Sequence, residues 1–256
     1  MKKILSIVNG VALIATLFMN YLSNTGLFNG NTNKTISDLY SNYFTPAGYA
    51  FSIWGFIYLG LLAFVFYTGR NLYQKNTDDT LQLKIGWWFL ISCFANSFWL
   101  VAWLYNYLSI ALIIMLLIFI SLLKIILNTN AGLTKFKTKD YLFVVLPFTV
   151  YFGWISVAFV ANAAALLVKI NWSGWGISAI NWAIMMIIVA GLINLFIVLK
   201  RNLPEFGLVG VWAIMAISVA NATKNSTIVY VCYIVASILM VAIIWRIFNK
   251  RKLMIA

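Results

Sequence analysis

The chain alternates long, almost uncharged apolar runs with short segments that hold its charges. The runs lie at about 4–22, 47–68, 85–105, 108–127, 141–168, 177–199, 206–222 and 227–248. Each is close to the roughly 20 residues that carry a helix across a bilayer core about 30 Å thick. A run inside lipid must satisfy every backbone N–H and C=O internally, and a helix does so. The expected fold is therefore all-α: a polytopic membrane helix bundle of about eight transmembrane helices. Composition forces the same reading, since 64% of the residues are hydrophobic and only 9% are charged. Soluble domains carry roughly 25% charged residues, so this chain cannot cover a water-facing surface.

Net charge is +13, which on a soluble protein would suggest a polyanionic partner. Here the basic residues sit between the apolar runs, as orientation in a membrane requires, and nucleic acid is excluded as a partner. Eight crossings put both termini on one side. Of the 18 Lys and Arg residues, only Lys34, Lys169 and Lys224 fall on the other. The excess of positive charge marks the cytoplasmic face, which predicts both termini in the cytoplasm of a bacterial-type plasma (inner) membrane.

Lys2 and Lys3 before the run 4–22 resemble the start of a signal peptide. That run is longer than a typical 7–15-residue signal core, and Ser23-Asn24-Thr25-Gly26 is no small-residue cleavage site, so it reads as a retained first span. Residues 23–45 are long for a simple connection and could fold over the bundle end as a lid. In the fifth run, Pro147 removes a backbone hydrogen bond and is expected to kink the helix. Trp172 and Trp175 fit interfacial anchors. Cys93 and Cys232 lie inside apolar runs without metal-ligand spacing, and there is no histidine. They read as small packing residues, with no metal site suggested.

The stretch Tyr43–Tyr67 carries the strongest local pattern. Pro46 suits a helix start, and Phe51, Trp54 and Tyr58 then share one face at i, i+3 and i+7. At 1.5 Å per residue Trp54 lies about 10 Å into the span, deeper than the interfacial belt. Asn96, Trp99 and Trp103 share a face of the third span, and Trp154, Ala158 and Asn162 a face of the fifth. Aromatic walls with a few amides suit a flat apolar ligand, because rings stack and amides fix orientation. The plainer reading is packing, with the asparagines bonding across helices.

These elements resemble the TspO/MBR family of translocator or tryptophan-rich sensory proteins. Pro46 followed by Trp54 and Tyr58 is similar to the family's second helix. Asn96-Ser97-Phe98-Trp99 matches its N-x-x-W, and Trp154 with Asn162 keeps the Trp-to-Asn spacing of its fifth helix. Val157 stands where Phe is usual, and Pro147 is three residues further from the Trp than in the family pattern. The resemblance covers residues 1–170. It implies a TspO-like five-helix bundle over 1–169, with 170–256 adding three further spans for packing or oligomerisation. It also implies a ligand pocket of Trp54, Tyr58, Asn96, Trp99, Trp154 and Asn162, taking a tetrapyrrole such as porphyrin or haem, or a sterol, in a sensory or regulatory role. A homodimer is left open, as are transport of a small apolar solute and porphyrin degradation.

Charge placement narrows these classes. All five acids fall in loops or at span ends, whereas ion-coupled pumps and retinal proteins need charged groups inside the membrane. Without histidine or an intramembrane carboxylate the usual acid–base groups are missing. An enzyme is the less favoured reading, no catalytic residue is nominated, and a hydrophobic small molecule within a lipid bilayer is the expected partner.

Overall fold

The computed structural model describes residues 1–74 and 80–254, with side chains described up to Asn249. Lys75, Asp78 and Asp79 of the charge pattern lie outside the described residues, as does Ala256. Among the described residues there are ten helices of six residues or more, in the order α1 (Lys2–Leu22), α2 (Asn33–Leu39), α3 (Ile53–Gly69), α4 (Thr80–Ile85), α5 (Trp88–Leu104), α6 (Leu108–Thr129), α8 (Leu146–Lys169), α9 (Ala179–Phe196), α10 (Pro204–Asn221) and α11 (Ser226–Met254). A single helical turn, α7 (Thr138–Asp140), precedes α8. Among the described residues, seven helical segments are long and apolar enough to cross a membrane. The exception is α5, an apolar helix of 17 residues.

Side-chain bonds show that α5 nevertheless joins the same two ends as its neighbours. Just ahead of its start, Asn128 Nδ2 at the end of α6 donates to the Lys84 carbonyl in α4. At its finish, Asn31 Nδ2 of the 23–52 connection donates to the Leu104 carbonyl. Eight helices thus run up and down between a lid end, which holds 23–52, and a terminal end. The bundle is polytopic and all-α, as the apolar runs predict.

Asparagine ends four of these helices. Asn106, Asn130, Asn171 and Asn202 all have positive φ, between 50° and 65°. Asn accepts the left-handed conformation more readily than other residues with a side chain, so it can fill the place at a helix end that glycine often takes. Pro147, where the sequence predicts a kink, stands at a change of helix type. It falls in the first turn of α8, immediately after a π-type turn over Tyr141–Val145. The wider turn changes the hydrogen-bond register ahead of the proline, where an α-helix would set its ring against a carbonyl.

Packing builds one large core from α1, α3, α5, α6 and α8, and the same core takes in Leu203, Phe206, Val209 and Ala216 in and just before α10. Close approach of α8 and α10 depends on Gly153, where a Cβ would meet Val209 Cβ at 3.1 Å. Beside it the Phe152 and Phe206 rings lie 5.4 Å apart. A second core joins α9, α10 and α11, with Phe44 from the lid segment buried in it. At the terminal end Ser6, Asn71 and Gln82 close a buried ring of hydrogen bonds that ties α1 to the end of α3 and to α4.

Candidate ligand cavity

Rings from three helices converge below the lid. α3 does not begin at Pro46: a 3-10 turn over Gly48–Ser52 precedes it, and Trp54 is its second residue. Because a 3-10 turn rises about 2 Å per residue, its five residues still carry Trp54 about 10 Å from the end of the bundle. Freed from the helix, Pro46 lines the cavity itself. Trp54 stacks on Tyr58 at 5.4 Å and meets Trp154 of α8 edge-on at 6.4 Å. Phe51 meets Trp154 at 6.2 Å. Across the cavity Trp99 stacks on Trp103 at 5.8 Å.

Four of the six residues nominated from sequence, Trp54, Trp99, Trp154 and Asn162, line one cavity. Tyr58 and Asn96 do not reach it. They belong to a deeper polar layer, in which Asn96 Nδ2 donates to the Tyr151 hydroxyl and Asn20 Nδ2 donates to Asn96 Oδ1. Sequence periodicity places a residue on a face but not at a depth along the neighbouring helix, so the two layers were merged. Trp103, Phe51 and the lid residues Ser37, Tyr40, Thr45 and Pro46 line the cavity as well. Trp103 was visible, one turn from Trp99 on the same face. The lid residues carried no periodic signal.

The polar groups are unevenly paired. Trp99 Nε1 donates to Asn162 Oδ1 at 3.1 Å, and Asn162 Nδ2 donates to the Ala158 carbonyl, so both polar atoms of this amide have a partner. Trp154 is 2% exposed, yet its Nε1 finds no acceptor among the described residues, and the Tyr58 hydroxyl is likewise buried and unpaired. An orphaned buried donor costs about 1–3 kcal/mol. Of the two, only Trp154 lines the cavity, and an acceptor on a bound molecule that reached its N–H would be stabilising. None of the described residues lining the cavity is charged.

In this form the cavity is nearly shut, with a volume of about 40 Å³, whereas drug-sized ligands need roughly 300–1,000 Å³. The lid closes it: Asn106 Nδ2 donates to the Tyr40 hydroxyl at 2.8 Å, and Trp103 Nε1 reaches the Asn33 carbonyl at 3.5 Å. Its helix α2 is held by a capping box between Thr32 and Thr35.

A second cavity, of about 430 Å³, lies between α8 and α9. Phe159, Ala163 and Ala164 wall it on α8, Ala183 and Met186 on α9, and Trp172 with Trp182 at the lid end. Trp172, Trp175 and Trp182 pack ring to ring at 5.2–6.1 Å, and Trp182 Nε1 donates to the Gly174 carbonyl.

An all-α polytopic membrane bundle with a tryptophan-walled cavity under a folded lid is the class these features define. Residues 6–245 match the model of the TSPO-like protein family, and the chain belongs to that family. The match runs through α9 and α10 and into α11, beyond residue 170, where the motif resemblance ends. No curated protein and no solved structure matches the chain.

Proposed function

We propose that this TSPO-like protein binds a flat apolar molecule of the tetrapyrrole class in the aromatic cavity and serves a sensory or regulatory role. The observation that carries this reading is the convergence of Trp54, Trp99, Trp103 and Trp154 on one cavity, Trp154 with its buried N–H unpaired among the described residues. Stacking gives a planar ring system its affinity, and the free N–H offers one directional contact to a carboxylate or ring acceptor. The uncharged lining suits neither ion-coupled transport nor acid–base catalysis. Because about 40 Å³ admits only a few waters, binding requires the lid to move. The form described is the closed one.

The protein is placed, on this reading, in a plasma membrane with the terminal end in the cytoplasm and the lid end outside. Titration of the purified protein with protoporphyrin IX tests the function, following the ligand's own absorbance because 11 tryptophans crowd the emission signal. Saturable binding at a single site is expected. Absorbance that changes only in proportion to detergent, with no saturation, would reduce the four tryptophans to packing residues.

A further inference from the structure

The two cavities lie on opposite faces of one helix. Ala158, Ala161 and Asn162 of α8 look into the aromatic cavity, and Phe159, Ala163 and Ala164 look into the lateral one. A single stretch of chain separates them beyond the helix. Tyr40, Thr45 and Pro46 border the inner cavity, while Asn42, Tyr43 and Phe44 between them border the lateral one.

That stretch is a self-bonded unit. The Asn42 N–H donates to Thr45 Oγ1, the Phe44 N–H to Asn42 Oδ1 and the Thr45 N–H to the Asn42 carbonyl, all at 2.9–3.0 Å. It is held from outside by α10. The Ala47 N–H donates to the Ala216 carbonyl at 2.9 Å, Asn221 Nδ2 to the Tyr43 carbonyl at 3.0 Å, and Trp212 Nε1 to the Ala50 carbonyl at 3.3 Å. Tyr49 also meets Trp212 edge-on at 5.2 Å.

We propose that the lateral cavity is the vestibule through which a membrane-dissolved apolar ligand reaches the aromatic cavity, and that residues 40–50 are its gate, latched by α10. The proposal rests on the reading that the inner cavity binds such a ligand. Volume makes the first argument: a cavity of about 40 Å³ admits a ligand only if part of the lid moves, and large open space, about 430 Å³, adjoins Asn42, Tyr43 and Phe44 on the α9 side. Chemistry makes the second. The vestibule lies between two apolar spans and is walled by alanines and rings, so an apolar molecule arrives from hydrocarbon without crossing water. The third is mechanical. The turn at 42–45 keeps its own hydrogen bonds wherever it goes, so opening costs chiefly the three bonds to α10, the Asn106–Tyr40 bond and the seat of Phe44. On this account α9 and α10 are parts of the binding apparatus: α9 forms one wall of the route and α10 holds its door. The competing route is from water at the lid end, by release of α2 from α5.

Stopped-flow binding and release of protoporphyrin IX, with the full chain in lipid nanodiscs, separates the two routes. Ala164→Trp fills the vestibule without touching the inner cavity. On- and off-rates should both fall by about tenfold or more while Kd stays within about twofold, since a gate changes rates and a site changes affinity. A disulfide formed in Ala47→Cys/Ala216→Cys should do the same and be reversed by reductant in the same sample, which keeps the test usable if Ala164→Trp folds poorly. Asn221→Ala with Trp212→Phe should raise both rates and quicken hydrogen exchange of amides 43–50, leaving those of α6 unchanged. Unchanged rates in Ala164→Trp, with slowing in the disulfide form, would assign entry to the lid end and overturn the vestibule. Unchanged exchange in the α10 double variant would overturn the latch. Exchange is read without ligand, so a protein that bound no porphyrin would sink the functional reading while the latch was still judged.

Discussion

The inner and lateral cavities share a helix and a strip of loop, yet one is nearly filled and the other is open. Around the inner cavity α3, α5 and α8 belong to one core, and stacked rings and the lid occupy the space between them. Around the lateral cavity α9 packs instead on α10 and α11, forming the second core, which α8 meets through Val160 and Ala161 while Ala163 and Ala164 face the cavity. Small residues behave oppositely in the two places. Gly153 lets α8 meet α10 at van der Waals distance, whereas Ala163 and Ala164, with no helix pressed on them, leave a void. A stripe of small residues is thus a contact or a cavity according to what the partner helix is tied to elsewhere.

The largest test of that contrast is all-or-none. Reporter fusions after Arg70 and Thr138 should read cytoplasm and one after Gly30 exterior, which would open the lateral cavity toward the outer leaflet. A cytoplasmic signal at position 30 would turn the comparison upside down. Next in size is Trp54→Ala. Stacking of about 0.5–1.5 kcal/mol and lost apolar contact of roughly 1–2 kcal/mol at 25 cal/mol per Å² should weaken porphyrin binding about tenfold or more.

Trp154→Phe asks a finer question, because it keeps a ring and deletes the unpaired N–H. If a ligand accepts from that group, affinity should fall severalfold, by about 1 kcal/mol, while the unliganded protein loses little stability. Undiminished affinity would leave the donor without a role in binding. Gly153→Ala presses a methyl group on Val209 and should cost about 1–3 kcal/mol of stability, read as a lower thermal midpoint in detergent. Trp172→Ala, at the mouth of the lateral cavity, should change inner-cavity affinity least, by under about threefold. A loss as large as that of Trp54→Ala would mean the ligand rests in the lateral cavity, and the two sites would exchange roles.

Much of this was legible along the chain. Helix faces follow from a 3.6-residue period, so Trp54 with Tyr58, Trp99 with Trp103 and Trp154 with Asn162 could be paired before any fold was known. The spans followed from the scarcity of charge, and the lid from the length of 23–45. Tyr58 and Asn96 were misplaced because periodicity fixes an angle around a helix, whereas depth depends on how far one helix slides along another. The cavity-lining lid residues escaped because a loop has no period to read.

The amino-acid sequence by itself determined that this chain folds as a bundle of apolar helices and which of their faces carry rings and amides. These are local properties, set by backbone hydrogen bonding in lipid and by the geometry of a single helix. Tertiary structure alone decided that α10 enters the first core, that its Trp212, Ala216 and Asn221 hold a loop more than 160 residues away, and that the inner cavity is shut. Such contacts join segments far apart in sequence, and their formation depends on how all the helices pack at once.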